Sequence, residues 1–182
     1  MKVLVVGPSS AGKTTLTNVI AGHSDTPSVV YHPTSGVRIL EIEKEPPRAN
    51  RRAGESSIQI ELWDCSGDPR YEKCWSAYRK GTHGVIFVFD ASEVNPDMEE
   101  WVRNFPQKIG IQPSQCIALA HYKSGKPKGS LRAPRGLERV SIHETSLDNT
   151  SNIHLAFDKL YGIIYGAMAE SQEKAEKEIM NA

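Results

Sequence analysis

A chain of 182 residues, 38% hydrophobic and 24% charged, has the size and composition of one α/β domain with a sizeable core and a short tail. Lys plus Arg equals Asp plus Glu at 22 each, so no net field draws the protein toward nucleic acid or anionic lipid, and a small ligand or protein partner is expected instead. The three cysteines, Cys65, Cys74 and Cys116, lack C-x-x-C spacing, which argues against a disulfide framework or zinc site and for a reducing compartment.

Met1-Lys2-Val3-Leu4 enters a first strand at once, with no signal-peptide or myristoylation pattern, and no apolar run reaches membrane-spanning length. The last residues, Glu178 to Ala182, lack a prenylation cysteine, so a soluble protein with no direct membrane anchor is expected. After Val3-Leu4-Val5-Val6 comes Gly7-Pro8-Ser9-Ser10-Ala11-Gly12-Lys13-Thr14, a match to G-x-x-x-x-G-K-[ST]. Two glycines let the backbone wrap an anion, N–H groups point at phosphate oxygens, and the following helix offers its positive end. Lys13 should reach the β and γ phosphates, and the Thr14 hydroxyl suits Mg²⁺, a hard cation that takes oxygen ligands. Gly7, Ser9, Ser10, Ala11, Gly12, Lys13, Thr14 and Thr15 are therefore the candidate phosphate-binding residues.

Leu16, Val19 and Ile20 share one face of the first helix, and Gly22 supplies its stop. Residues 23–36 read as a loop long enough to bend over a bound nucleotide. Val37 to Glu43 and Ile58 to Trp63 alternate and should pair as an antiparallel hairpin, joined by an exposed connection over residues 44–57. A helix is expected from Tyr71 to Lys80, then a buried central strand at Val85 to Asp90. Asn95 can cap the next helix with Pro96 at its first position, and Trp101, Val102 and Phe105 give it an apolar face. Cys116 to Ala120 and Val140 to His143 are the last strands. The basic segment between them, rich in Pro and Gly, should be an irregular crossover, either simply solvated or a contact for an acidic partner. A final helix from about Ser151 carries Ile153, Phe157, Leu160, Ile164 and Met168 inward and becomes a charged tail after Glu170. The six histidines show no ligand spacing, while Trp75 and Tyr78 are either core residues or an exposed partner patch.

In this order the motifs resemble a Ras-like small GTPase over residues 1–169, leaving 170–182 as a polar tail, helical or disordered. The resemblance implies a three-layer P-loop NTPase fold: α/β, a mostly parallel six-stranded sheet, one antiparallel edge hairpin, and an irregular loop replacing the helix between the last two strands. It implies GTP or GDP with Mg²⁺ as cofactors. Tyr31-His32-Pro33-Thr34 looks like the first switch, with Thr34 closing on the metal. Trp63-Asp64-Cys65-Ser66-Gly67 looks like the second, with Asp64 holding a metal water and the Gly67 N–H meeting the γ-phosphate. Glu144-Thr145-Ser146-Leu147 looks like the loop whose backbone, at Ser146 and Leu147, supports guanine. Thr14, Thr34 and Asp64 are thus the metal set.

Within the superfamily, Pro33 to Glu41, Glu61 to Asp68, His83 to Phe89, Ala120-His121 and Lys128 to Leu131 resemble the Rab-like GTPase subunit of intraflagellar transport complex B. That likeness implies a role in cilium or flagellum assembly and docking on the coiled-coil subunits of the complex. It also implies a monomer outside the complex, found in the cytoplasm, the cilium or flagellum and its basal body. Two positions depart from the superfamily pattern. Asp68 stands where a water-orienting glutamine is usual; a carboxylate cannot donate a hydrogen bond and adds negative charge, so hydrolysis should be slower by roughly two to three decades. Ser9, where many members have glycine, crowds the same corner. His121-Tyr122-Lys123-Ser124 stands where N-K-x-D is usual and lacks the aspartate that reads guanine, weakening base discrimination by about 1–3 kcal/mol. His121 and Lys123 either cover a base face or begin a loop without ligand contact. A nucleotide-ordered binding module is the first expectation. An active GTP/GDP switch stimulated in trans is the alternative, ahead of a small-molecule kinase, which the Asp64-to-Gly67 tetrad disfavours, or an empty scaffold.

Overall fold

A computed structural model describes residues 1–23, 32–47, 57–93, 96–123 and 131–180. The six strands are β1 (Lys2–Val6), β2 (Val37–Lys44), β3 (Ile58–Cys65), β4 (Gly84–Asp90), β5 (Cys116–Tyr122) and β6 (Ser141–Ser146). They form one sheet in the order β2-β3-β1-β4-β5-β6. All neighbours are parallel except β2 and β3, which pair antiparallel from Val37↔Cys65 to Lys44↔Ile58. The expected edge hairpin and mostly parallel six-stranded sheet are therefore present. Continuous apolar runs make three of the four inner strands, β1, β4 and β5, buried on both faces, as parallel strands covered by helices must be.

Each sheet face carries its own core. On one, α1 (Lys13–Ile20) and α4 (Ser151–Met180) bring Leu16, Val19, Phe157, Leu160 and Ile164 against Val3, Val5, Ile86 and Ile117. On the other, Leu4, Val6, Phe87 and Phe89 meet Trp75 of α2 (Trp75–Arg79), Trp101 of α3 (Glu99–Val102) and Phe105 of the turn after it, whose ring centroids lie 5.1 to 5.9 Å apart. Each such fully buried side chain contributes about 1.5–3 kcal/mol. Trp75 at 4% and Tyr78 at 7% exposure are core residues, which decides the alternative left by the sequence.

Several elements differ from expectation. The helix expected from Tyr71 to Lys80 is a 3₁₀ segment, Pro69–Cys74, followed by the short α2; Pro69 stands in its first turn and the Asp68 carboxylate accepts from the Arg70 N–H at 2.9 Å, starting the turn early and tight. Asn95, the expected cap, lies outside the described residues. Pro96 precedes α3, because Met98 donates its N–H to the Arg135 carbonyl at 3.1 Å, Asp97 bridges Arg135, and the Asp97 carboxylate caps Glu99 N at 2.9 Å. α3 passes into a π-helical turn, Arg103–Gln107, around Pro106, which cannot donate to an ordinary helical bond.

β5 runs two residues further than expected and β6 covers Ser141–Ser146 rather than residues 140–143, so His121, Tyr122, Thr145 and Ser146 belong to strands rather than loops. Residues 131–140 contain no regular helix, as the Pro- and Gly-rich sequence demands. The helical register of α4 continues through the charged residues to Met180. Tyr31, the connection over 48–56, and Ser124 with Lys128, Gly129 and Ser130 lie outside the described residues.

Candidate functional site

Three elements end at one point on the sheet's C-terminal edge: the turn from β1 to α1, the approach to β2, and the end of β3. The β1 turn must be glycine at Gly7, where φ is +145° and a Cβ would sit 2.0 Å from the Val88 carbonyl oxygen. Ser10 adopts φ 60° and Gly12 φ 96°, curling the loop so that α1 starts at Lys13 with no side chain capping its first N–H groups. A helix start that glycine leaves without a side-chain cap, with its positive end, suits a phosphate anion. Ala11 is buried beneath the loop, whereas Ser9 and Ser10 are exposed and Thr15 is half-buried in the first turn. Lys13 bends back over the loop, its Nζ donating to the carbonyls of Gly7 at 2.9 Å and Pro8 at 2.6 Å. Burial lowers its ammonium pKa to about 8 against the opposing pull of Asp64. Carbonyl oxygens hold the lysine where phosphate oxygens would satisfy it better.

The expected metal set comes together. Thr14 Oγ1 donates to Asp64 Oδ2 at 2.7 Å and lies 2.9 Å from Thr34 Oγ1, itself 3.5 Å from Asp64 Oδ2. The Asp64 side chain is wholly buried and its Oδ1 has no hydrogen-bond partner. Burial pushes this carboxyl upward, opposed by the bond from Thr14, by Arg38 and Lys13, and by the bond from Thr34. Three hard oxygens from three elements and an unsatisfied carboxylate oxygen fit a divalent cation such as Mg²⁺.

Gly67 lies on the loop itself: a Cβ there would stand 2.4 Å from Ser9 N and 2.5 Å from Gly7 O. The Ser9 backbone, not its exposed side chain, makes this corner tight. The Asp68 carboxylate accepts from Arg70 Nε at 2.9 Å and Nη2 at 2.7 Å, and that bonding holds it below the usual carboxylate range.

At the other end of the loop His121 lies in β5 and is 2% exposed. Its Cδ2 would be 2.6 Å from a Cβ on Gly12, and its Nδ1 lies 3.4 Å from Thr145 Oγ1, so the ring ties the phosphate loop to β6. Burial lowers its pKa, with Lys123 adding in the same direction, so the imidazole is neutral near pH 7. Lys123 Nζ pairs with Asp90 Oδ2 at 2.6 Å. Burial alone would raise the Asp90 carboxyl, but hydrogen bonds from Lys123 and Ser92 outweigh it and hold the pKa at about 2. Ser146 ends β6, its carbonyl accepting from Asn149 N at 3.4 Å, and Leu147 packs on the core. Sequence reasoning missed Arg38, Thr145 and Asp90; strand register, Arg38↔Asp64 and His121↔Thr145, is the signal that finds them.

A phosphate loop after β1, a threonine and an aspartate converging on the helix-start threonine, and an antiparallel edge hairpin define the class, a Ras-like small GTPase. Residues 2–123 match the family model for Roc, the Ras of Complex domain of DAPkinase. The chain is 39% identical over 184 residues to the intraflagellar transport protein 22 homologue of Homo sapiens, covering 98% of this chain and 97% of that protein. It is 31% identical to intraflagellar transport protein 22 of Trypanosoma brucei brucei, covering 95% and 90%. Among solved structures, T. brucei IFT22/74/81 in the GTP-bound state matches with TM-score 0.75 and 29% identity over 94% of this chain and 98% of that one. GDP-bound T. brucei IFT22 matches with TM-score 0.68 and 26% identity, covering 92% and 97%. The chain belongs to the intraflagellar transport protein 22 family, and is a GTP-binding small GTPase of intraflagellar transport.

Proposed function

We propose that this protein is a Rab-like subunit of the intraflagellar transport machinery in the cilium or flagellum and its basal body. It binds GTP or GDP with Mg²⁺, and its nucleotide-ordered loops dock on coiled-coil subunits of complex B. The observation that carries this reading is the meeting of Thr34 with Thr14 and Asp64 within 2.7 to 3.5 Å, because it couples the loop before β2 directly to the metal and phosphate pole. Gly7 to Thr15 bind the phosphates, Thr14, Thr34 and Asp64 hold the ion, and Gly67 closes on the γ-phosphate side. Mg²⁺ when bound neutralises phosphate charge. His121 acts by fixing the loop, and Ser146 and Leu147 present backbone toward the base. Relatives named for intraflagellar transport, and a matching GTP-bound structure of T. brucei IFT22/74/81, support the partner class.

Hydrolysis is slow in this reading. Asp68 accepts from Arg70 at both carboxylate oxygens and has no proton to donate, so it orients water poorly and disfavours the developing negative charge. Titration with fluorescent GTP, GDP and ATP analogues in Mg²⁺, followed by single-turnover hydrolysis, tests the reading. Guanine nucleotides should bind well above ATP with negligible turnover, and Thr14→Asn should weaken Mg²⁺-GTP by about 10-fold or more, the loss of a hydrogen bond to charge. Equal ATP affinity would overturn the base preference, and fast turnover, alone or with a partner, would restore the active switch.

A further inference from the structure

Arg38 is the one ion-pair partner of Asp64 among the described residues, with Nε 3.6 Å from Asp64 Oδ2. Antiparallel register places it there, opposite Asp64 across β2 and β3, and Nη2 donates to Asn18 Oδ1 on α1 at 2.8 Å. The Asp64 side chain has no exposure, and Arg38 Nε is itself buried without a hydrogen-bond partner. The other cation facing this carboxylate, Lys13, is held by the Gly7 and Pro8 carbonyls and is the residue that must turn to the phosphates. Arg38, its side chain 40% exposed and tied to Asn18, has no role at the phosphate loop that would draw it away from Asp64.

We infer that Arg38 is a built-in counter-cation of the metal pole: its guanidinium holds the Asp64 carboxylate aligned with Thr14 and Thr34 without the ion, so that nucleotide retention depends weakly on Mg²⁺. Guanidinium is suited to this task because its planar fork reaches Asn18 and Asp64 together. The same charge repels an incoming Mg²⁺, so removing it should strengthen ion binding as well as the need for the ion. This inference rests on the nucleotide-binding reading above.

The test uses the full chain loaded with a fluorescent GTP analogue, with release followed in Mg²⁺ and after excess EDTA. In the unmodified protein EDTA should accelerate release by less than about tenfold, and a hundredfold acceleration would overturn the inference whatever the variants do. Arg38→Gln, which keeps hydrogen-bonding capacity and loses the charge, should raise the EDTA-to-Mg²⁺ rate ratio about fivefold or more and lower the Mg²⁺ concentration for half-protection. Asn18→Ala should keep the original ratio. An unchanged ratio in Arg38→Gln, or an equal rise in Asn18→Ala, would make Arg38 a packing tether and overturn the inference while leaving nucleotide binding intact. No GTP binding by the unmodified protein would remove the functional reading itself.

Discussion

Adding one methyl group at Gly67 measures how closely the segment after β3 lies on the loop that follows β1. Its Cβ would meet Ser9 N, Gly7 O and the Pro8 carbonyl carbon at 2.4 to 2.5 Å, all backbone atoms that no side-chain rotation can clear. Gly67→Ala should therefore push the segment off the loop, at a cost of about 1–3 kcal/mol, and GTP affinity should fall about tenfold or more in an equilibrium titration. Unaltered affinity would mean that Gly67 does not close on nucleotide. Lys13, Thr14, Thr34 and Asp64 were legible because their motifs are statements of chemistry at fixed spacing. His121 and Arg38 were not, since a histidine in a strand and an arginine in a hairpin acquire meaning only from what the register sets opposite them: Thr145 and Asp64.

Among elements, those with strong local periodicity were placed well by sequence: β1, the β2–β3 hairpin, β4 and the buried face of α4. The second switch and the start of α3 were placed less well, for a common reason. In both, a side chain or a distant strand competes for the backbone: Asp68 for the Arg70 N–H, and Arg135 for that of Met98. α4 divides at the point where its sequence changes. Ile153, Phe157, Leu160 and Ile164 are buried, whereas every residue from Glu170 to Met180 is exposed, and the Lys177–Glu173 pair at 3.9 Å adds little in solvent. Removing residues 170–182 should lower the melting temperature by no more than about 2–4 °C, the equivalent of about 1 kcal/mol in a domain of this size. A larger drop by calorimetry would place the domain's end further along the helix than residue 169.

For the molecule as a whole, nucleotide should act as a stabiliser, because the loops it would join come from α1, the approach to β2, and β3 on one face and from β5 and β6 at the far end. At a hundredfold excess over its dissociation constant, a ligand bound only by the folded state adds about 2.7 kcal/mol, or roughly 5–10 °C for a domain of this length. Thermal shift with Mg²⁺-GTP should show that rise, Mg²⁺-ATP should show less, and equal shifts would contradict guanine preference. The architecture was legible because hydrophobic runs, glycine turns and the hairpin all point to one topology; the joining of the phosphate loop to β6 through a buried imidazole was legible only in three dimensions.

The sheet's open margin has a consequence for how copies of this protein coexist in solution. β2 is an outer strand, and Ile39 on it is 46% exposed. With a formal net charge of zero at pH 7, no long-range repulsion separates one copy from the next. Colloidal stability then falls to the short-range guard of the exposed Glu41 and Glu43 along that strand, whose charges discourage edge-to-edge pairing.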